Sequence, residues 1–205
     1  MPERRVNTRN RNVAVTAPDA PLRNQTDRST WVRAATHALA EHGLDGVKVE
    51  TLARRLGLTK GSFYWHFRDR RELLDAMLDT WHDGRLDDIR SLTRCTPGEE
   101  MAQLHHVIDT YSVARNQRGI RVELAVRDWA RHDQRARAVV DAVDAVRLDC
   151  ATALFVGAGI TPDEARNRSL LLYAYVFGLG MMDGERESRS PPAARAFIAH
   201  LITGG

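Results

Sequence analysis

The chain has 205 residues, enough for one full core or two small domains, with 43% hydrophobic residues and a mean hydropathy of −0.41. Its longest near-continuous apolar run, Leu170 to Met182, is 13 residues; a bilayer-spanning helix needs about 20, so the run reads as a buried helix and no membrane partner is expected. The net charge of +3 conceals an asymmetry: residues 1–70 carry 13 Lys/Arg against seven Asp/Glu, whereas residues 71–205 carry 17 against 20, which suggests a polyanion partner at one end.

Residues 1–26 hold Arg4, Arg5, Arg9, Arg11 and Arg23 among Asn and Pro, with little that could bury itself, and read as a disordered basic arm. No apolar stretch of signal-peptide type follows the N-terminal charge, so a secretory signal is not expected. Cys95 and Cys150 lie 55 positions apart, without metal-type spacing, and read as reduced structural thiols of a cytoplasmic protein.

From Asp27 onward the pattern is helical. Trp31, Ala34, Ala35, Ala38 and Leu39 form a 3.6-period stripe ending at Gly43, a C-cap signal. Val49, Leu52, Ala53 and Leu56 repeat the spacing in a shorter helix stopped by Gly57, and Thr59 can cap a third helix over residues 60–67. "DRRE" from Asp69 is an Asp-x-x-Glu capping box opening a long helix towards Leu92. "TPGE" at 96–99 and "TPDE" at 161–164 each predict Thr at N-cap and Pro at N1, and "SPP" at 190–192 supplies another start. Ile120 to Ala130 and Ala136 to Val156 keep helical spacing, the latter ended by Gly157 and Gly159. Hairpin-bounded alternating segments, internal repeats and a glycine-rich phosphate loop are absent. The expected fold is all-α, about nine helices: a compact trio of short helices, because seven- or eight-residue helices do not hold alone in water, then a bundle of longer ones. The helix from Asp69 belongs to both.

Two short helices joined by "GLT" match a helix-turn-helix. Four of the 13 aromatics, Phe63, Tyr64, Trp65 and Phe67, fall in one five-residue window with His66, and no single helix face can bury all four. Phe63 and Phe67, at i and i+4, are assigned to the core; Gly61, Ser62, Tyr64 and Trp65 lie on the other side, with Lys60 at the start of the helix. That surface suits phosphates and base edges in a major groove.

The segment "VETLARRLGLTKGSFYWHFRDRRELL", preceded by "RSTWVRAATHALAEHG" at 28–43, resembles the DNA-binding region of the TetR/AcrR family of bacterial transcriptional regulators over about 45 residues. The resemblance implies that Lys60 and Gly61 approach bases, that Ser62 touches phosphate or base, and that Tyr64 and His66 bind phosphate. It further implies that Trp65 packs against the DNA backbone or a thymine methyl, and that Thr59 lies within the same interface. Arg70 stands where the family usually has a phosphate-binding lysine. Lys48 departs from the Ser or Thr that commonly caps the second helix; lysine cannot cap that way, although it can reach phosphate. Glu50, one turn in, can face the groove, where it would accept from cytosine or repel phosphate.

Residues 27–74 are thus expected to form the helix-turn-helix domain and residues 75–205 a ligand-binding and dimerisation domain, the latter by resemblance. "LLLYAYVFGLGMM" and "ARAFIAHLI" are the most apolar late helices, and two from each of two subunits would form a four-helix interface. Trp81, Tyr111, Trp129, Tyr173 and Tyr175 are the polar aromatics able to line an effector pocket. His105 and His106 are 100° apart on a helix and make no i, i+4 metal pair; no metal, cofactor or catalytic constellation is expected. The function expected is a homodimeric, sequence-specific repressor that binds double-stranded DNA at a palindromic operator and is released by a small-molecule effector. Two alternatives stand beside it, a DNA-binding protein without sequence preference and an all-α small-molecule enzyme.

Overall fold

The computed structural model describes residues 27–112, 117–182 and 192–204. The arm at 1–26 and the Ser190 start signal lie outside them. Every regular element among the described residues is helical: α1 (Arg28–His42), a 3₁₀ turn (Leu44–Gly46), α2 (Val49–Leu56), α3 (Lys60–Phe63), α4 (Arg70–Leu92), α5 (Glu100–Ser112), α6 (Gln117–Ala130), α7 (Gln134–Gly157), α8 (Pro162–Met181) and α9 (Pro192–Thr203). No helix among them is long and apolar enough to cross a membrane.

The ends follow side-chain chemistry. Asp27 accepts from the Thr30 N–H at 2.8 Å and Asp69 from the Glu72 N–H at 2.8 Å, each satisfying an orphan donor of the first turn. Glu72 does not close the box onto Asp69; its carboxylate reaches one residue further back, to the Arg68 N–H at 2.9 Å. Thr161 sits at the N-cap of α8 with Pro162 behind it, but its hydroxyl makes no capping bond.

Two expected boundaries move. "TPGE" is a turn: Gly98 has φ +94°, outside helical space, and α5 starts at Glu100, whose carboxylate accepts from the Gly98 N–H at 2.8 Å. The third helix is regular only over Lys60–Phe63; beyond it the chain continues in helical turns, with the His66 and Phe67 N–H groups both returning to the Phe63 carbonyl. Between α2 and α3, Gly57 takes the left-handed conformation (φ +66°), its N–H returning to Arg54 and the Leu58 N–H to Ala53, which turns the chain sharply enough to lay α3 across α2.

The apolar interior forms two clusters. The first joins Trp31, Leu39, Leu52, Phe63 and Phe67 to Leu73, Met77, Leu78 and Trp81 of α4, and continues into Val126 and Trp129 of α6 and Val140 and Val143 of α7. Phe63 stacks on Phe67 (centroids 5.3 Å, planes 20° apart) and meets Trp31 edge-on at 5.3 Å. Each of these fully buried rings contributes about 1.5–3 kcal/mol. The second cluster joins Leu104, Val107 and Ile108 of α5 to Leu154 and Phe155 of α7, Leu172, Tyr173 and Val176 of α8 and Ile202 of α9. Packing therefore does not divide at residue 75, because α6 and the first half of α7 close the core of the helical trio. Ion pairs span that junction: Arg71 at the start of α4 reaches Asp133, the N-cap of α7, at 2.9 Å, and Arg135 reaches Asp79 at 2.7 Å.

Candidate nucleic-acid interface

The first cluster holds Phe63 and Phe67 inside, and their neighbours are consequently turned out. Tyr64 is 53% exposed and Trp65 87%. One edge of Tyr64 rests on Phe63 (centroids 5.2 Å apart) and the rest of the ring is open, while Trp65 is almost wholly in water, where a ring of that size forgoes the gain of burial. Gly61 lies beside them. A Cβ there would meet nothing nearer than the Thr59 hydroxyl oxygen at 3.7 Å, so no internal packing requires glycine, which a helix otherwise disfavours. A small residue at that point leaves room for something outside the chain to come close.

Around these residues the polar groups divide into those engaged within the fold and those that are open. The Thr59 hydroxyl oxygen accepts from the Ser62 N–H at 3.2 Å, which leaves its own proton available. Ser62 donates its hydroxyl proton to the Thr59 carbonyl at 2.7 Å, so as a phosphate donor it must give up that bond. Lys48, exposed at the start of α2, makes no cap with its side chain and is open to an anion, as its side-chain chemistry requires. His66 is half-buried, and its carbonyl accepts from Arg28 at 2.7 Å. Lys60 is paired: its ammonium lies 2.5 Å from a carboxylate oxygen of Glu50. The pair raises the Lys60 pKa and lowers that of Glu50, each through the hydrogen bond to the other.

Arg70 is corrected. Its guanidinium turns inward, Nε donating to the Val47 carbonyl at 2.5 Å and Nη2 to the Leu44 carbonyl at 2.8 Å. It ties the 3₁₀ turn to the start of α4, and the fold already engages two of its donors, Nε and Nη2. The planar fork of arginine presents these donors in a fixed, wide geometry, whereas a lysine carries its three on a single freely rotating nitrogen.

The polar aromatics of the body do not meet in one place. Trp81 and Trp129 are buried in the first cluster, whereas Tyr111 and Tyr173 meet edge-on at 6.4 Å in or beside the second. The Tyr175 hydroxyl is buried and has no hydrogen-bond partner among the described residues. Tyr111 lines an open cleft of about 330 Å³ between α4 and α5 that also presents Arg85, Asp88, Ser91, Gln103 and His106.

Beside Tyr111 and Tyr173 lies a charge cluster that sequence patterning did not single out. Glu123 and Arg147, each 2% exposed, pair at 3.2 Å; Arg127 donates to Glu123 at 2.8 Å, and Asp144 accepts from both Arg127 and Arg147. Phe177 receives both guanidiniums, with Arg127 4.1 Å and Arg147 5.2 Å from its centroid. The available signal was the opposite charge at i, i+4 in Glu123/Arg127 and at i, i+3 in Asp144/Arg147, which the other charges of the same two helices masked. No group of three or more His, Cys, Asp and Glu able to hold a metal ion occurs among the described residues.

Residues 32–77 match the family model described as bacterial regulatory proteins, tetR family. Over 51 residues the chain is 47% identical to the tetracycline repressor protein class A from transposon 1721 of Escherichia coli, covering 25% of this chain and 24% of that protein. Over 59 residues it is 34% identical to the HTH-type transcriptional regulator TtgR of Pseudomonas putida, covering 29% and 28%. The chain thus spans about a quarter of the length of these curated relatives. In three dimensions the likeness is longer: a transcriptional regulator from Rhodococcus sp. Rha1 superposes with a TM-score of 0.71 at 22% identity, covering 87% of this chain and 95% of that one. At that identity the likeness establishes the fold, an N-terminal helix-turn-helix followed by a helical bundle.

Proposed function

This chain belongs to the TetR/AcrR family of bacterial transcriptional regulators, and from that premise we propose that it is a sequence-specific DNA-binding regulator, a homodimeric repressor released from a palindromic operator by a small-molecule effector. The observation that carries this reading is the outward placement of Tyr64 and Trp65 beside Gly61 and Lys60, on a segment whose Phe63 and Phe67 are fixed in the core. Residues 27–74 serve as the DNA-binding domain. Lys48, Thr59, Lys60, Gly61, Ser62, Tyr64, Trp65 and His66 contact the duplex, and Arg70 positions them from behind. The family is one of regulators rather than enzymes.

Residues 75–205 serve as the effector and dimer domain, within a cytoplasmic protein. Support for the dimer comes from α8 and α9, which leave Leu170, Leu171, Met181, Met182, Phe197 and Leu201 exposed. A two-fold arrangement of these helices buries them in a four-helix interface and sets two recognition segments about 34–36 Å apart, one turn of duplex. Support for effector control comes from α4. The helix that follows the recognition segment without a linker also carries Arg85 and Asp88 in the wall of the α4–α5 cleft. A molecule seated there shifts the equilibrium by as much as it prefers the non-binding arrangement; about 2–3 kcal/mol changes occupancy roughly a hundredfold.

Affinity selection of genomic fragments followed by footprinting tests the reading. One short protected palindrome is the expected result, and protection spread along every fragment would leave only non-specific binding.

A further inference from the structure

Glu50 is the one acidic side chain within the proposed interface, and a carboxylate there opposes phosphate. Exposed ion pairs add little to folding, so stability gives no strong reason for the contact. Its neighbours give one. Glu50 stands in the first turn of α2 and Lys60 in the first turn of α3, so the 2.5 Å contact joins the two helices of the motif on its exposed side, next to Gly61 and Tyr64. Both side chains are more than half exposed, so the pair offers a donor and an acceptor side by side.

Resting on the DNA-binding reading above, we propose that Glu50 and Lys60 read one G·C base pair in each half-site as a single unit. Lys60 donates to guanine O6/N7 and Glu50 accepts from the cytosine N4 amino group. In the major groove these acceptors and that donor lie side by side on one base pair, matching the adjacent ammonium and carboxylate. An A·T pair in the same orientation keeps the purine N7 acceptor, but it replaces guanine O6 with a donor amino group beside the ammonium and sets thymine O4 against the carboxylate, so Glu50 loses its contact and Lys60 keeps only N7. The carboxylate also repels any duplex that offers it no donor. Glu50 therefore lowers non-specific affinity while it sharpens discrimination.

The test uses the full-length protein. Wild type selects sites from a random double-stranded oligonucleotide pool, and each G·C of the selected half-site is then changed to A·T. At one position the change should weaken wild type by roughly 5- to 100-fold. Glu50→Ala should reduce that penalty to under about threefold, tighten binding to unrelated duplex and leave helical content unchanged. Glu50→Gln, whose amide can accept from cytosine N4 or donate to thymine O4, should also lose most of the penalty. Wild-type discrimination retained by both variants at every G·C position would overturn the proposal. If wild type selects no motif at all, the regulator reading itself fails, and the proposal falls with it.

Discussion

The guanidinium of Arg28 donates to the main-chain carbonyl of His66 at 2.7 Å, fastening the first turn of α1 to the segment that carries Tyr64 and Trp65. The same guanidinium covers the Phe67 ring at 4.2 Å and reaches Glu72 at 2.9 Å, so one residue joins the first helix, the recognition segment and the start of α4.

Glu72 should make this fastening pH-dependent. Its carboxyl is held down to about 2, first by the Arg68 N–H and then by the Arg28 and Arg68 side chains. A lowered carboxylate stabilises the fold fully above its unfolded value near 4.5, and that stabilisation is lost as pH falls towards 2. Glu72→Gln should therefore melt below wild type at pH 6–7, by a small margin because the site is open to water, and the gap should narrow progressively from about pH 4.5 towards pH 2. Thermal melts across pH 7 to 2.5 check it; a constant gap would remove the carboxylate from the account.

Replacing Arg70 should affect folding more than DNA contact. Arg70→Ala strands the Val47 and Leu44 carbonyls and should cost about 1–3 kcal/mol, with Arg70→Lys recovering only part. The dependence of DNA affinity on salt should stay that of wild type in conditions where both are folded. Urea unfolding and a salt titration separate the two effects.

Tyr64→Ala and Trp65→Ala should each weaken operator binding at least tenfold with unchanged helicity and oligomeric state, because Trp65 lies outside the core and Tyr64 only borders it, edge-on to Phe63. Lys48→Ala should reduce the salt slope by about one charge. Anisotropy titrations at several salt concentrations provide both readings.

In the body, Arg147→Met should destabilise by about 3–5 kcal/mol, since it leaves the buried Glu123 with one guanidinium fewer. The double change Arg147→Met/Glu123→Leu should recover much of that loss. Denaturant melts of the four proteins form the cycle.

Leu171→Asp and Phe197→Asp place charge on the exposed faces of α8 and α9 and should yield monomers in sedimentation equilibrium without loss of helix content. Dimers persisting in both would move the interface elsewhere.

The helices were legible where local chemistry alone sets them. Asp27, Gly43, Gly57, Thr59 and Asp69 end or begin elements in the structure as their side chains require. "TPGE" misled because an N-cap signal competes with a glycine that takes positive φ, and only the folded chain decides between them. The outward rings of Tyr64 and Trp65 followed from the i, i+4 pairing of Phe63 and Phe67. The inward turn of Arg70, the Glu50–Lys60 pair and the Glu123–Arg147 pair did not, because each joins residues 10 to 26 positions apart. Periodicity within one helix carries no information about partners on another.

The uneven burial of the tryptophans has a spectroscopic consequence. Trp31, Trp81 and Trp129 are enclosed, and Trp65 alone of the four is open to solvent. A collisional quencher such as iodide should therefore darken only the red-shifted part of the emission, the part that belongs to Trp65. Duplex binding should shield that fraction and leave the rest unchanged, so the native protein carries its own optical gauge of occupancy.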